Sequence, residues 1–278
     1  MKYLDLTLPT PAENLACDEA LLDAAEAGSG GEVLRFWEPQ QHFVVVGYAN
    51  KVATEVNVSA CESRGVQILR RCSGGGTVLQ GPGCLNYSLV LKIEENSRLN
   101  SISAANQFIM ECNREAVQSV LARDASSPSV NLLLAGRPLT PPSPPLGERV
   151  AEGRVRGLPE NIEVNVQGHT DLTLGGLKFS GNSQRRRRHF LLFHGTFLLH
   201  FDIALIEALL LPPSKQPDYR SNRSHCDFLI NLGMPAATVK AALANTWDAS
   251  NPPANVPRSQ IEILAREKYS ARAWTMKF

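Results

Sequence analysis

The 278-residue sequence predicts an α+β fold, a mixed or antiparallel sheet flanked by helices. Three observations predict it. Two long segments, 11–27 and 101–121, read as helices, one from its capping signals and the other from apolar residues at helical spacing. Short runs rich in β-branched and aromatic residues are joined by tight turns, and between 171 and 201 they follow one another as a meander. The remaining helical segments lie around these strands, and 43% hydrophobic residues can fill a real core.

Each element has a local reason. Thr10 and Glu13 have capping-box spacing, Pro11 stands at the first helical position and Gly28 follows the end, so a helix spans 11–27. Residues 33–37 and 42–46 read as strands joined by a turn at Pro39, and 47–50 as a loop. Residues 56–64 are weakly helical, and 66–71 form a strand entering a glycine run. Residues 85–91 alternate like a half-buried strand. Ile102, Ala105, Ile109, Cys112, Ala116 and Val120 fall near one stripe of a helix over 101–121.

Residues 124–157 break this order with prolines, glycines and arginines, and are expected to be a disordered insertion within a catalytic domain of residues 1–250. Strands resume at 161–166, 171–174, 177–184 and 190–201, with a Gly175-Gly176 turn and a basic turn between them. Helices are expected at 203–210, 224–232 and 235–247. Residues 251–278 read as a linker followed by a helix over 259–269.

Composition excludes several classes. A net charge of +1 gives no global field toward nucleic acid or membrane. No apolar run is long enough to span a bilayer, and the first residues lack a secretory apolar core. Six scattered cysteines without a Cys-x-x-Cys pair argue against zinc or a disulfide framework, so no metal site is expected and a reducing cytoplasm is.

The chemistry concentrates in two blocks. The first is Arg70-Arg71-Cys72-Ser73-Gly74-Gly75-Gly76. Three adjacent glycines are entropically costly, so something approaches their backbone more closely than a Cβ would allow. Pro82 and Gly83 follow Gly81 where a P-loop needs lysine and a hydroxyl, and Leu79 stands where a dinucleotide fingerprint needs its last glycine. The run is then either a glycine-rich hairpin without a ligand or an anion-binding nest of Gly74, Gly75 and Gly76 beside Ser73, with Arg71 as a fork for a carboxylate or phosphate. The second block runs from Asp171 through Lys178, Gly181 and Ser183 to His194. Strand alternation turns Lys178 away from its apolar neighbours Leu177 and Phe179, toward small residues that leave room for a ligand. Its ammonium is suited to an acyl phosphate or a polarised carbonyl. Four consecutive arginines, 185–188, form either a solvated turn or a guide for an acidic partner; no aromatics interleave them, which sets nucleic acid aside.

These blocks resemble the lipoate–protein ligase and octanoyl (lipoyl) transferase family, relatives of biotin–protein ligase. The resemblance rests on Arg-Arg-x-Ser-Gly-Gly-Gly-x-Val, on Asp171-Leu172 with Lys178-Phe179-Ser180-Gly181-Asn182-Ser183 and His194-Gly195-Thr196, and on 219–232, and it covers roughly 1–120 and 160–235. It implies a biotinyl/lipoyl protein ligase-like, class II synthetase-like fold. It implies attachment of lipoate or octanoate to a lysine of a lipoyl carrier domain, on the E2 subunit of a 2-oxoacid dehydrogenase or the glycine cleavage H protein. Lys178 would be catalytic, and Arg71, Ser73, Gly74, Gly75, Gly76, Gln80, Asp171, Gly181, Ser183 and His194 would hold substrate and adenylate. Many members carry histidine where this chain has Gln80, which cannot titrate. Ligases of the family make an acyl-adenylate from ATP and Mg²⁺ as co-substrates, with nothing permanently bound. Transferases take octanoyl from acyl carrier protein through a cysteine, for which Cys72, Cys84 and Cys226 are the candidate thiols. The expected activity is the ligase, with the thioester transferase and an inactive lipoyl-domain or acyl-binding relative as alternatives.

Overall fold

The computed structural model describes residues 1–95, 97–124, 163–252 and 255–278. The strands are β1 (Lys2–Asp5), β2 (Val33–Trp37), β3 (Phe43–Val46), β4 (Gln67–Arg70), β5 (Val78–Gln80), β6 (Cys84–Lys92), β7 (Val164–Gln167), β8 (Asp171–Leu174), β9 (Leu177–Arg186) and β10 (Phe190–Leu198). The first four helices are α1 (Pro11–Glu26), α2 (Val52–Glu55), α3 (Val58–Ser63) and α4 (Ile102–Asp124). Thr10 caps α1 through the full capping box that its spacing predicts.

Seven strands form one sheet in the order β1-β2-β6-β10-β9-β8-β7; β4, β3 and β5 form a second. β1 runs parallel to β2 and the other pairs of the large sheet are antiparallel, so the architecture is α+β with a mixed sheet. The two strands read on either side of Pro39 part company: β2 enters the large sheet and β3 the small one. β6 is buried from Cys84 to Leu91, not half-buried. The reason is its central place. Leu89 and Leu91 pack with Ala105, Ile109 and Val117 of α4, while Val90 packs with Leu15, Ala16 and Ala20 of α1 on the other face.

Two strands went unread, β1 and β5, each of four residues or fewer. The helix expected at 224–232 is a single turn, His225–Phe228. Helices at Ile203–Leu209 and Ala236–Thr246 stand where the sequence placed them. A helix at Arg258–Leu264 continues as a π-turn to Tyr269, and a further turn spans Arg272–Thr275. This C-terminal segment packs onto the domain: Ile261, Ala265 and Tyr269 join the apolar cluster of α1. Of the disordered insertion expected at 124–157, Asp124 instead ends α4 and 125–157 lie outside the described residues, as do the first two residues of the strand expected at 161–166.

Candidate active site

A cavity of about 900 Å³ opens between the two sheets, and both sequence blocks reach it. Gly75 and Gly76 line one side; Asp171, Lys178, Gly181, Ser183 and His194 line the other. The glycine loop bridges β4 and β5, which flank the same strand, β3. Gly75 has φ +84, a conformation that favours glycine. A Cβ there would stand 3.0 Å from Arg71 Nη2 and 3.3 Å from the Ser183 Cβ.

Arg71 does not offer its fork to a ligand. Its Nε donates to Ser73 Oγ and to the Gly74 carbonyl, each at 3.1 Å, and Nη2 donates to the Gly74 and Gly76 carbonyls at 2.6 Å. The side chain is buried, and burial lowers its pKa to about 10. It shapes the loop from within, because unpaired carbonyls in such a place would be costly.

Lys178 Nζ lies 2.8 Å from Asp171 Oδ1, and the Tyr219 hydroxyl donates to Asp171 Oδ2 at 2.7 Å. Burial and the neighbouring carboxylate raise the Tyr219 pKa, so it stays a donor. Asp171 lies opposite Gly181 in the β8–β9 register, and a Cβ on Gly181 would meet Lys178 Nζ at 2.7 Å. The ammonium occupies the space that the missing side chain leaves.

His194 bonds on both ring nitrogens. Nε2 is 2.5 Å from Ser73 Oγ and Nδ1 is 3.2 Å from Asp18 Oδ2. Ser73 Oγ is also 2.9 Å from Ser183 Oγ. Asp18 Oδ1 accepts from Arg35 Nη1 at 2.6 Å. Burial pushes the Asp18 pKa up, but Arg35 and His194 outweigh it and hold the carboxylate below its ordinary value. Sequence reasoning missed Asp18 and Arg35. Their one signal was a charged pair on faces otherwise given to the core, Asp18 in α1 and Arg35 in β2.

Gln80 is buried on the cavity wall, donating to Thr196 Oγ1 at 2.6 Å and accepting from Asn86 Nδ2 at 3.0 Å. Three of the four arginines in the basic run have partners. β9 extends through Arg186, whose Nη2 donates to the Leu99 carbonyl at 2.7 Å, and Arg187 pairs with Asp23 at 2.7 Å. The Arg185 guanidinium sits 5.8 Å from the Tyr48 ring centre.

The candidate thiols lie elsewhere. Cys72 and Cys84 are buried, and burial raises both to a pKa of about 12. Cys226 is half-buried beside His225, whose Nε2 faces the Leu211 carbonyl at 3.4 Å. All six cysteines of the chain are among the described residues, and none lines the cavity.

The profile of the lipoyl protein ligase A/B catalytic domain matches residues 10–130 and 148–247. The chain is 28% identical to the octanoyltransferase LipM of Carboxydothermus hydrogenoformans, covering 100% of this chain and 98% of the relative. It is 24% identical to lipoate-protein ligase A subunit 1 of Thermoplasma acidophilum, over 76% of this chain and 68% of that one. The fold matches the bipartite lipoate protein ligase of Thermoplasma acidophilum, studied with its E2 lipoyl domain, at a TM-score of 0.70 and 21% identity, covering 99% and 95% of the two chains. It matches a lipoate-protein ligase A bound with ATP at a TM-score of 0.64 and 23% identity, with 99% of each chain covered. The profile thus spans most of the chain, which belongs to the lipoyl protein ligase A/B catalytic-domain family, enzymes of lipoyl and octanoyl transfer.

Proposed function

We propose that this chain joins lipoate or octanoate to the ε-amine of a lysine on a lipoyl carrier domain by way of an acyl-adenylate. The observation that carries the reading is the absence of any thiol from the wall of a cavity that holds both the glycine loop and Lys178. A thioester relay needs a thiolate within reach of the acyl carbon, near a group that lowers its pKa. The thiols nearest the glycine loop in sequence are instead buried and held uncharged.

In this reading ATP and Mg²⁺ enter as co-substrates, and the acid's carboxylate attacks the α-phosphate to give the mixed anhydride and pyrophosphate. The bare backbone at Gly75 and Gly76 lets the anhydride lie close, inside the cavity between the sheets. Lys178 turns from Asp171 to the anhydride oxygens, where its charge matters most as the acceptor amine attacks. Gly181, Gln80, Asp171, Ser183 and His194 frame the bound acyl group, with Ser73 behind them; Gly74 stands off the cavity wall, its carbonyl held by Arg71. The acceptors are the E2 lipoyl domains and the glycine cleavage H protein, met in the cytoplasm.

A second reading has its own support: several relatives are named octanoyltransferases. It has the acyl group arrive as a thioester of acyl carrier protein. One experiment separates the readings. A lipoyl domain is incubated with the enzyme and lipoate plus ATP and Mg²⁺, octanoate plus ATP and Mg²⁺, or octanoyl acyl carrier protein, and its mass is measured. Acylation only in the ATP arms is expected, with Lys178→Ala slower by about 10²-fold or more. Acylation only from the thioester favours the transferase. No added mass in any arm means a binding protein without activity.

A further inference from the structure

We propose that Ser183, Ser73 and His194 form a proton wire that takes the proton from the acceptor lysine as its amine attacks the acyl carbon. The inference rests on acyl transfer to an amine and holds whether the acyl group arrives as an adenylate or a thioester.

The hydrogen bonds run in one direction, and charge fixes that direction. Arg71 Nε can only donate, so it occupies one lone pair of Ser73 Oγ. Asp18 is held ionised by Arg35 and takes the Nδ1 proton of His194, which leaves Nε2 as an acceptor. Ser73 must therefore donate to Nε2, across 2.5 Å. With its single proton spent, Ser73 can only accept from Ser183, across 2.9 Å. Every group in the chain is then satisfied, and a proton entering at Ser183 can leave only toward His194. Ser183 faces the cavity beside Gly75, so the wire opens where the acyl group would lie.

The new bond joins the acceptor Nζ to the acyl carbon, and the bond to phosphate oxygen or thioester sulfur breaks with its electron pair on the leaving group. The amine proton passes to Ser183 Oγ, the Ser183 proton to Ser73 Oγ, and the Ser73 proton to His194 Nε2. The imidazolium that results is paired with Asp18. The charged groups facing His194 are Asp18 from α1, Arg35 behind it on β2, and Arg71 through Ser73; Ser88 stands opposite on β6, and Lys178 with Asp171 shares the cavity.

The test measures single-turnover transfer to a lipoyl domain from preformed octanoyl-adenylate and from octanoyl acyl carrier protein. It compares wild type, Ser73→Ala, Ser183→Ala and His194→Gln, and measures adenylate formation from octanoate and ATP in parallel. Near pH 7, transfer by the variants should fall by about 10²-fold or more, and by more than adenylate formation falls. The deficit should shrink as pH rises, because hydroxide in solution then takes the proton that the wire carries near neutrality. Equal deficits in both steps, or a deficit that pH does not change, would overturn the wire and leave these side chains as shapers of the pocket. Thermal melting checks the fold, and Ser183→Ala, which leaves the buried His194–Asp18–Arg35 cluster intact, keeps the test sound if His194→Gln unfolds. A wild type that transfers from the thioester but makes no adenylate ends the ligase reading while the wire is still tested. A wild type that transfers from neither donor overturns both.

Discussion

Two glycines on neighbouring strands should fail in opposite ways. A Cβ on Gly195 would stand 1.6 Å from Asn182 Oδ1, and Asn182 cannot retreat. It accepts from the Tyr87 hydroxyl at 2.6 Å and donates to the Thr170 carbonyl at 2.8 Å. Gly195→Ala must therefore shift the strands, at a cost of about 3 kcal/mol. Gly181→Ala meets only the far end of Lys178, which can swing aside. It should leave stability nearly unchanged and slow acyl transfer by about 10²-fold. Urea midpoints and transfer rates measured on both variants check this; a Gly181→Ala enzyme of full activity would mean that the present Lys178 position is not needed. Lys178 and Asp171 were legible because strand alternation and a local block expose them. Asp18 and Arg35 were not, since a buried ion pair looks in sequence like any helix or strand charge, and its partner His194 lies 176 positions away.

The loop and the C-terminal segment act as one element. Arg70, fully buried, donates through Nη1 to the carbonyls of Gly47, Tyr48 and Asn50, and through Nε and Nη2 to those of Trp274 and Thr275. Trp274 Nε1 returns a bond to the Arg70 carbonyl at 2.8 Å. Removing residues 271–278 would strip a buried cation of its acceptors on one side and should destabilise the protein by about 3–5 kcal/mol. Faster protease cleavage within 71–77 and a lower melting temperature are the expected readouts; an unchanged melting temperature would show that the segment is dispensable. The sequence identified the helix over 259–269 but not its purpose, since contacts with Arg70 cross about 200 residues. β5 was illegible for a related reason: its three residues are a strand only because β3 lies beside them. β6 showed its strand character but not its burial on both faces, which depends on which helices cover the sheet.

At the scale of the molecule, alkaline pH should reveal the buried thiols. Cys72 and Cys84 rise from an ordinary 9.0 to about 12 on folding. The folded form keeps these protons longer than the unfolded one, so their contribution is whole below about pH 9 and is lost as pH climbs toward 12. The slope is up to about 1.4 kcal/mol per pH unit for each thiol. Urea unfolding at neutral and at alkaline pH should show wild type losing more stability than the Cys72→Ala/Cys84→Ala double variant, and parallel losses would refute the assignment. The cavity itself belongs to this scale, because its two walls come from different sheets, the glycine loop from the small one and Lys178 from the large one. Val44 and Val46 of β3 pack with Leu198, Phe201, Ile206 and Phe228 in the wedge between them. The gap is thus a seam whose gauge is set by apolar residues that do not take part in the chemistry. Resizing that wedge would change the room left for an acyl chain while every reactive group stayed in place.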